Sequence, residues 1–204
     1  MRKKSNLYLF LTAVAAVALF FAGCKEKKQK VEFEELDYTH STPVKNSTLF
    51  GLCGEASAMN TLQLLTDNGD TLNLSIYKAK EQNKVHGGYS CGDRMAVMTN
   101  ENHTEALLVI NETTLLGNWL MLNPLDGSSE VGISLLEGGI VEGINQSILM
   151  YRAWRIFNGQ LEIQLTREGG GDEDEVNHYD IIKLDADSLI FANTEDRFEY
   201  YRQH

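Results

Sequence analysis

Leu115-Leu116-Gly117-Asn118-Trp119 opens the stretch whose reading decides the fold. Downstream come Asp126-Gly127, a second tryptophan at Trp154, and the tight turn Asn158-Gly159 leading into Leu161-Glu162-Ile163-Gln164-Leu165. In that last run Leu161, Ile163 and Leu165 point one way while Gln160, Glu162 and Gln164 point the other, the alternation of a sheet with one wet face. Equivalent segments predict strands near residues 116–123, 130–136, 139–144, 147–156, 160–166, 176–184, 188–193 and 196–202, with almost no helical periodicity among them. Asn158-Gly159, Asp185-Ala186-Asp187 and Thr194-Glu195-Asp196 are short hairpin connections, whereas Arg167 to Glu175 is long and glycine-rich. Eight antiparallel strands can close into a barrel, which removes exposed edges and leaves an interior just wide enough for side chains or one small ligand.

Upstream, from Leu49 to Ile110, the pattern is again short strands and turns. Thr61-Leu62-Gln63-Leu64-Leu65-Thr66 and Thr71-Leu72-Asn73-Leu74-Ser75-Ile76 flank Asp67-Asn68-Gly69-Asp70, which reads as a hairpin with a glycine-permitted turn. Arg94-Met95-Ala96-Val97-Met98 and Ala106-Leu107-Leu108-Val109-Ile110 complete the set, and Asn111-Glu112-Thr113-Thr114 marks the boundary with the second unit. Both prolines, Pro43 and Pro124, fall outside the strand-like runs.

The Gly117-x-Trp119 pair ahead of a run of alternating strands resembles the lipocalin signature, specifically the short lipocalin-like domains on lipoproteins of Bacteroidetes-type bacteria. The upstream stretch Ala58-Met59-Asn60-Thr61-Leu62, with Asn68-Gly69-Asp70-Thr71-Leu72 and Gly92-Asp93, looks like the small β-barrel module that precedes such domains. The resemblance implies an all-β chain: a small five-stranded OB-like barrel at 48–111, then a short eight-stranded antiparallel lipocalin-like barrel at 112–204. It also implies that Gly117 and Trp119 sit at the closed end of the barrel, where an arginine near the last strand, Arg202, covers the indole and contributes roughly 0.5–2 kcal/mol. Met150 and Trp154 are the candidates to line the interior as a ligand pocket, with plain core packing as the other reading of Trp154.

Arg2-Lys3-Lys4, an apolar run from Leu7 to Ala22 and then Gly23-Cys24 read as a secretory signal over residues 1–23, cleaved before a cysteine. Phe21-Ala22-Gly23-Cys24 resembles the lipobox of bacterial lipoproteins, with phenylalanine where leucine is usual, and implies that Cys24 is lipidated. Residues 24–47, charged and weakly patterned, form a flexible tether whose root-mean-square reach is roughly 25 Å. The expected location is the bacterial envelope, on an outer-membrane lipoprotein, and the lysines following Cys24 favour the periplasmic face over the cell surface. Of the 18 basic residues three lie in the leader, so 15 face 29 acidic ones in the remainder. Such a field repels phosphate backbones, and no basic stripe interleaved with aromatics interrupts it, so nucleic acid is not an expected partner.

Candidates for chemistry are few. Once Cys24 is lipidated, Cys53 and Cys91 remain as an even pair that either forms a disulfide, worth roughly 4 kcal/mol for a loop of about 39 residues, or packs as two free thiols. His86 lies near Cys91 in sequence, but no orienting third group or oxyanion loop accompanies them, and no catalytic residues are assigned. The remaining histidines, His40, His103, His178 and His204, lack metal-ligand spacing, and neither a metal nor a cofactor is expected. The acidic run Gly169-Gly170-Gly171-Asp172-Glu173-Asp174-Glu175 lacks the alternate spacing of a calcium loop and reads as a solvated hairpin tip. Asp70-Thr71-Leu72 and Asp187-Ser188-Leu189 resemble a three-residue O-glycosylation pattern of these bacteria.

Two functions are therefore in view. The first is a lipid-anchored envelope protein, not an enzyme, whose barrel binds a small, mainly apolar ligand. The second is a noncatalytic structural or interaction module with a protein partner in an outer-membrane assembly, its barrel filled by its own side chains. A cavity below about 300 Å³ favours the second.

Overall fold

The computed structural model describes residues 45–146, 149–167 and 174–204. The leader, Cys24, nearly all of the tether and residues 169–173 of the acidic run lie outside the described residues.

The first unit is a sheet of β1 (Leu49–Cys53), β2 (Thr61–Thr66), β3 (Thr71–Ser75), β4 (Val85–His86), β5 (Arg94–Thr99) and β6 (Ala106–Asn111), in the order β3-β2-β1-β5-β6-β4. Leu62, Leu64 and Leu74 alternate inward from the β2–β3 hairpin, and its turn is closed by Gly69 at φ 93. A parallel bridge from Ser75 to Glu105 brings β3 towards the start of β6. Six strands stand where five were expected. The extra one, β4, is only two residues long and runs parallel to β6 after helix α1 (Tyr77–Glu81), so no alternation announces it.

Helix α2 (Glu112–Leu115) joins the units. Its residues read as a linker because they are polar, but Asn111 caps the helix by accepting from the Thr114 N–H at 2.9 Å. The helix seats Leu115 in a core shared by both units: Ala96 and Ile110 of the first sheet pack in one cluster with Trp119 and the barrel interior.

The second unit is a closed antiparallel barrel of β7 (Gly117–Leu122), β8 (Glu130–Leu136), β9 (Ile140–Ile144), β10 (Leu149–Phe157), β11 (Gln160–Arg167), β12 (Glu175–Leu184), β13 (Ser188–Ala192) and β14 (Arg197–Arg202). Each strand pairs with the next, and β14 returns to β7 with Arg202 opposite Trp119. The chain is thus all-β, with an eight-stranded barrel second. Two register shifts, between Tyr151 and Ala153 and between Ile181 and Lys183, reverse the inward phase of β10 and β12 partway along.

The outer row of β11 departs from the wet face expected of it. Glu162, Gln164 and Thr166 are buried, Glu162 at only 1% exposure. The row is covered by its neighbours: Arg155 Nε donates to Glu162 at 2.5 Å and His178 Nδ1 lies 3.0 Å from the other carboxylate oxygen. Gln164 and Thr166 both donate to Asp174. Carboxylates and amides can be covered at so little exposure because each has a partner.

Candidate functional site

One pole of the barrel is closed. Trp119 is fully buried and its Nε1 donates to the Leu115 carbonyl at 2.8 Å, while the Arg202 guanidinium carbon lies 4.1 Å from the ring centroid. Arg202 is itself held by three carbonyls: Nη1 donates to Leu116, Nη2 to Thr114 and Nε to Ala186. Gly117 makes room for this arrangement, since its φ is 129 and a Cβ there would collide with Arg202 Nη1. The Asn158-Gly159 turn lies at the same pole. Asn46, Ser47 and Thr48 clamp it: Ser47 N and Oγ donate to Asn158 Oδ1, Asn158 N donates to Asn46 Oδ1, and Gly159 N donates to Thr48 Oγ1.

The opposite pole opens onto a cavity of about 170 Å³. Its wall is aromatic: Tyr179, Phe191, Phe198 and Tyr200 form a continuous group with ring centroids 4.9 to 6.1 Å apart, and Tyr151 lies across from them. Burial pushes the Tyr151 and Tyr179 hydroxyls up to about 12, with the Asp196 carboxylate adding to the shift at Tyr179, and it raises Tyr200 further still. All three phenols are therefore neutral at physiological pH. Tyr151 donates to Gln146 Oε1 at 3.2 Å. Asn177 also lines the cavity, and its Nδ2 is buried without a hydrogen-bond partner among the described residues. At the rim Arg167 and Asp196 contribute opposite charges, and Arg167 Nε donates to Glu175 at 3.0 Å.

Met150 and Trp154, expected to line the interior together, do not line this cavity. Met150 is 47% exposed on the outer surface, whereas Trp154 is 5% exposed within the core, its Nε1 donating to the Leu136 carbonyl at 3.0 Å. The bulge at Arg152 is the reason. Leu149 and Tyr151 face inward before it and Trp154 and Ile156 after it, so residues four apart fall on opposite faces.

Cys53 and Cys91 are both free thiols in this structure, the first buried and the second exposed. The Cys91 turn passes beside Cys53, with Gly92 N donating to the Cys53 carbonyl at 2.8 Å. The Cys53 thiol, however, points into the core within 3.2 Å of Ser57 Oγ, and burial raises its pKa. His86 is buried in β4, where burial holds its imidazole below the ordinary value. Asp174, at the end of the acidic run, is drawn back onto β11 by Gln164 and Thr166. Among the described residues no group of three or more His, Cys, Asp or Glu side chains is arranged to hold a metal ion.

The cavity residues Tyr151, Asn177, Tyr179, Phe191, Phe198 and Tyr200 were not singled out by sequence. A signal existed for most of them. Counting back by two from Ile181 places Tyr179 and Asn177 inward, and Phe198 and Tyr200 share a phase on the last strand.

Comparison with known proteins agrees with the barrel. Residues 111–203 match the family described as lipocalin-like. Among solved structures, the chain is similar to a lipocalin-like protein from Bacteroides thetaiotaomicron VPI-5482, with 28% identity over 44% of this chain and 97% of that one, at a TM-score of 0.40. No curated protein gives a match.

Proposed function

We propose that this chain is a lipid-anchored envelope protein whose lipocalin-like barrel takes a small molecule at its open pole. The lipocalin-like match over residues 111–203 supports a binding role for the barrel. The observation that carries the reading is the division of the barrel into a plugged pole, at Trp119 and Arg202, and an aromatic cavity of about 170 Å³ at the other. That volume sets the size of the guest. Pockets for drug-sized ligands run from about 300 Å³ upwards, and an engineered cavity of about 150 Å³ in another protein holds benzene. A fatty acid, a steroid or haem is too large to be enclosed; a molecule of one ring fits.

The same volume, below about 300 Å³, favours the second reading, a noncatalytic interaction module of an outer-membrane assembly. Against it stands the cavity itself: a barrel interior that serves only as packing closes to the density of a protein core and leaves no space of this size behind its aromatic wall.

The anchor rests on the basic start, the apolar run and Cys24. The chain leaves its tether at Asn46 to Thr48, which bind the Asn158-Gly159 turn at the plugged pole. Anchored through Cys24, the barrel therefore presents its mouth at the end farther from its attachment point, and a guest enters from the aqueous side.

Native mass spectrometry of the protein purified from the envelope of its own source tests both parts. The expected spectrum carries lipid on Cys24 as the first residue and a reproducible adduct of one-ring mass. An unmodified terminus at another residue ends the anchor reading. Repeatedly bare protein that also takes up no added toluene returns the barrel to the interaction module.

A further inference from the structure

We infer, building on the reading that the open pole takes a one-ring molecule, that its guest is an uncharged ring with a hydrogen-bond acceptor, which accepts from the free hydroxyls of Tyr179 and Tyr200.

Three tyrosines line the cavity, Tyr151 from β10, Tyr179 from β12 and Tyr200 from β14. Their hydroxyls are not equivalent. Tyr151 already donates to Gln146 Oε1 at 3.2 Å, whereas neither the Tyr179 nor the Tyr200 hydroxyl has a hydrogen-bond partner among the described residues. Both of these oxygens keep accessible surface, and the surface that their side chains meet is that of the cavity; Asn177 Nδ2, by contrast, is closed off from it. A shared neighbour fixes the two rings, since Tyr179 and Tyr200 pack on Phe191 at centroid distances of 4.9 and 5.6 Å. The phenols also stand close enough to feel one another's charge: Tyr151 and Tyr179 both act on Tyr200.

A hydroxyl carries one donor and two acceptor lone pairs, and the donor is the part that tolerates isolation least. The apolar members of the wall, among them Ile133, Ile163, Phe191 and Phe198, cannot accept from it. A guest that brings an acceptor therefore gains where a plain hydrocarbon does not. The same wall asks for a flat molecule. Phe191 stacks with Tyr200, and Tyr179 meets Phe198 edge to face at 5.8 Å, leaving faces and edges on which a further ring packs.

Charge narrows the class. An ammonium offers donors only, so it leaves both hydroxyls unanswered, and Asp196 holds it at the rim. A carboxylate can accept from both, but Asp196 and Glu175 already oppose negative charge at the Tyr179 hydroxyl, and Arg167 already donates to Glu175. The net charge of −11 for the whole chain opposes anions further. A carbonyl or a ring nitrogen accepts the hydrogen bond without carrying a charge out of water.

The test uses the full chain and four probes of similar size: acetophenone, its hydrocarbon isostere isopropenylbenzene, benzoate and benzylammonium. Affinities are read by ligand-observed NMR and calorimetry. Acetophenone is expected to bind roughly tenfold more tightly than isopropenylbenzene, the effect of one buried hydrogen bond, and more tightly than either charged probe. Tyr179→Phe and Tyr200→Phe keep both rings and delete only hydroxyls that bond no described residue. Combined, they are expected to remove the advantage of acetophenone while isopropenylbenzene binds as before. The infrared carbonyl band of bound acetophenone is expected at lower frequency in the parent than in the double variant, a difference that a change in packing alone does not produce. Acetophenone no tighter than isopropenylbenzene, an advantage that survives in the double variant, or an unchanged carbonyl band overturns the inference and leaves a ring-binding barrel standing. Preference for benzoate or benzylammonium overturns it as well, in favour of a charged guest. If none of the four binds, the ring-binding reading falls with it.

Discussion

Gly117, Trp119 and Arg202 act as one unit at the plugged pole. The indole fills the end of the core, the guanidinium lies flat on it while bonding the carbonyls of Thr114 and Leu116, and the glycine clears the space between. Truncating a fully buried tryptophan removes its transfer free energy and leaves a cavity that the barrel can only partly close. Trp119→Ala is therefore expected to cost about 3–5 kcal/mol in urea unfolding followed by circular dichroism, with probe binding at the far pole retained in the fraction still folded. A variant as stable as the parent would remove Trp119 from its structural role. These three residues could be picked out because glycine, tryptophan and arginine at those positions resemble a known signature. Tyr200 has no such mark: Tyr201 stands beside it, and only the position of Tyr200 on the inner face gives it meaning.

At the scale of strands, alternation was sufficient to place all eight members of the barrel, because each runs five residues or more with one face in the core. What alternation could not carry was phase across a bulge. The extra residue at Arg152 turns Met150 outward and keeps Trp154 inward, which exchanged the expected pocket pair for Tyr151 and the rings facing it. Cysteine spacing was similarly silent on direction: Cys53 lies on the inward phase of β1, Cys91 on an exposed turn. Elements of fewer than two periods, such as β4 and α1, leave too little pattern to read. Yet β4 carries a measurable property in His86. Burial holds its folded pKa below 6.5, so the native state keeps the imidazole neutral while the unfolded chain takes up a proton as the pH falls. Its contribution is fully present above pH 6.5 and is lost as the pH drops through the folded value. Urea midpoints for the parent and His86→Gln, compared from about pH 8 down to about pH 5, are expected to converge as the pH falls. Parallel curves would mean that His86 does not titrate differently in the folded state.

In the whole molecule the first sheet and the tether end both meet the plugged pole. Ala96 and Ile110 join the core around Trp119, and the Asn46 to Thr48 clamp holds the Asn158-Gly159 turn, so among the described residues the bracing lies at one end and the cavity at the other. On the proposed reading, an anchor would enter at the stiff end, and the acidic composition and the aromatic cavity at the other end would suit the barrel to small uncharged molecules. The most direct measurement is a toluene titration of the full chain followed by NMR of assigned aromatic protons. Saturable shifts are expected, confined to Tyr151, Tyr179, Phe191, Phe198 and Tyr200, with Trp119 and Trp154 unmoved. Shifts centred on the tryptophans, or no saturable shift in any ring, would contradict a binding cavity at this pole.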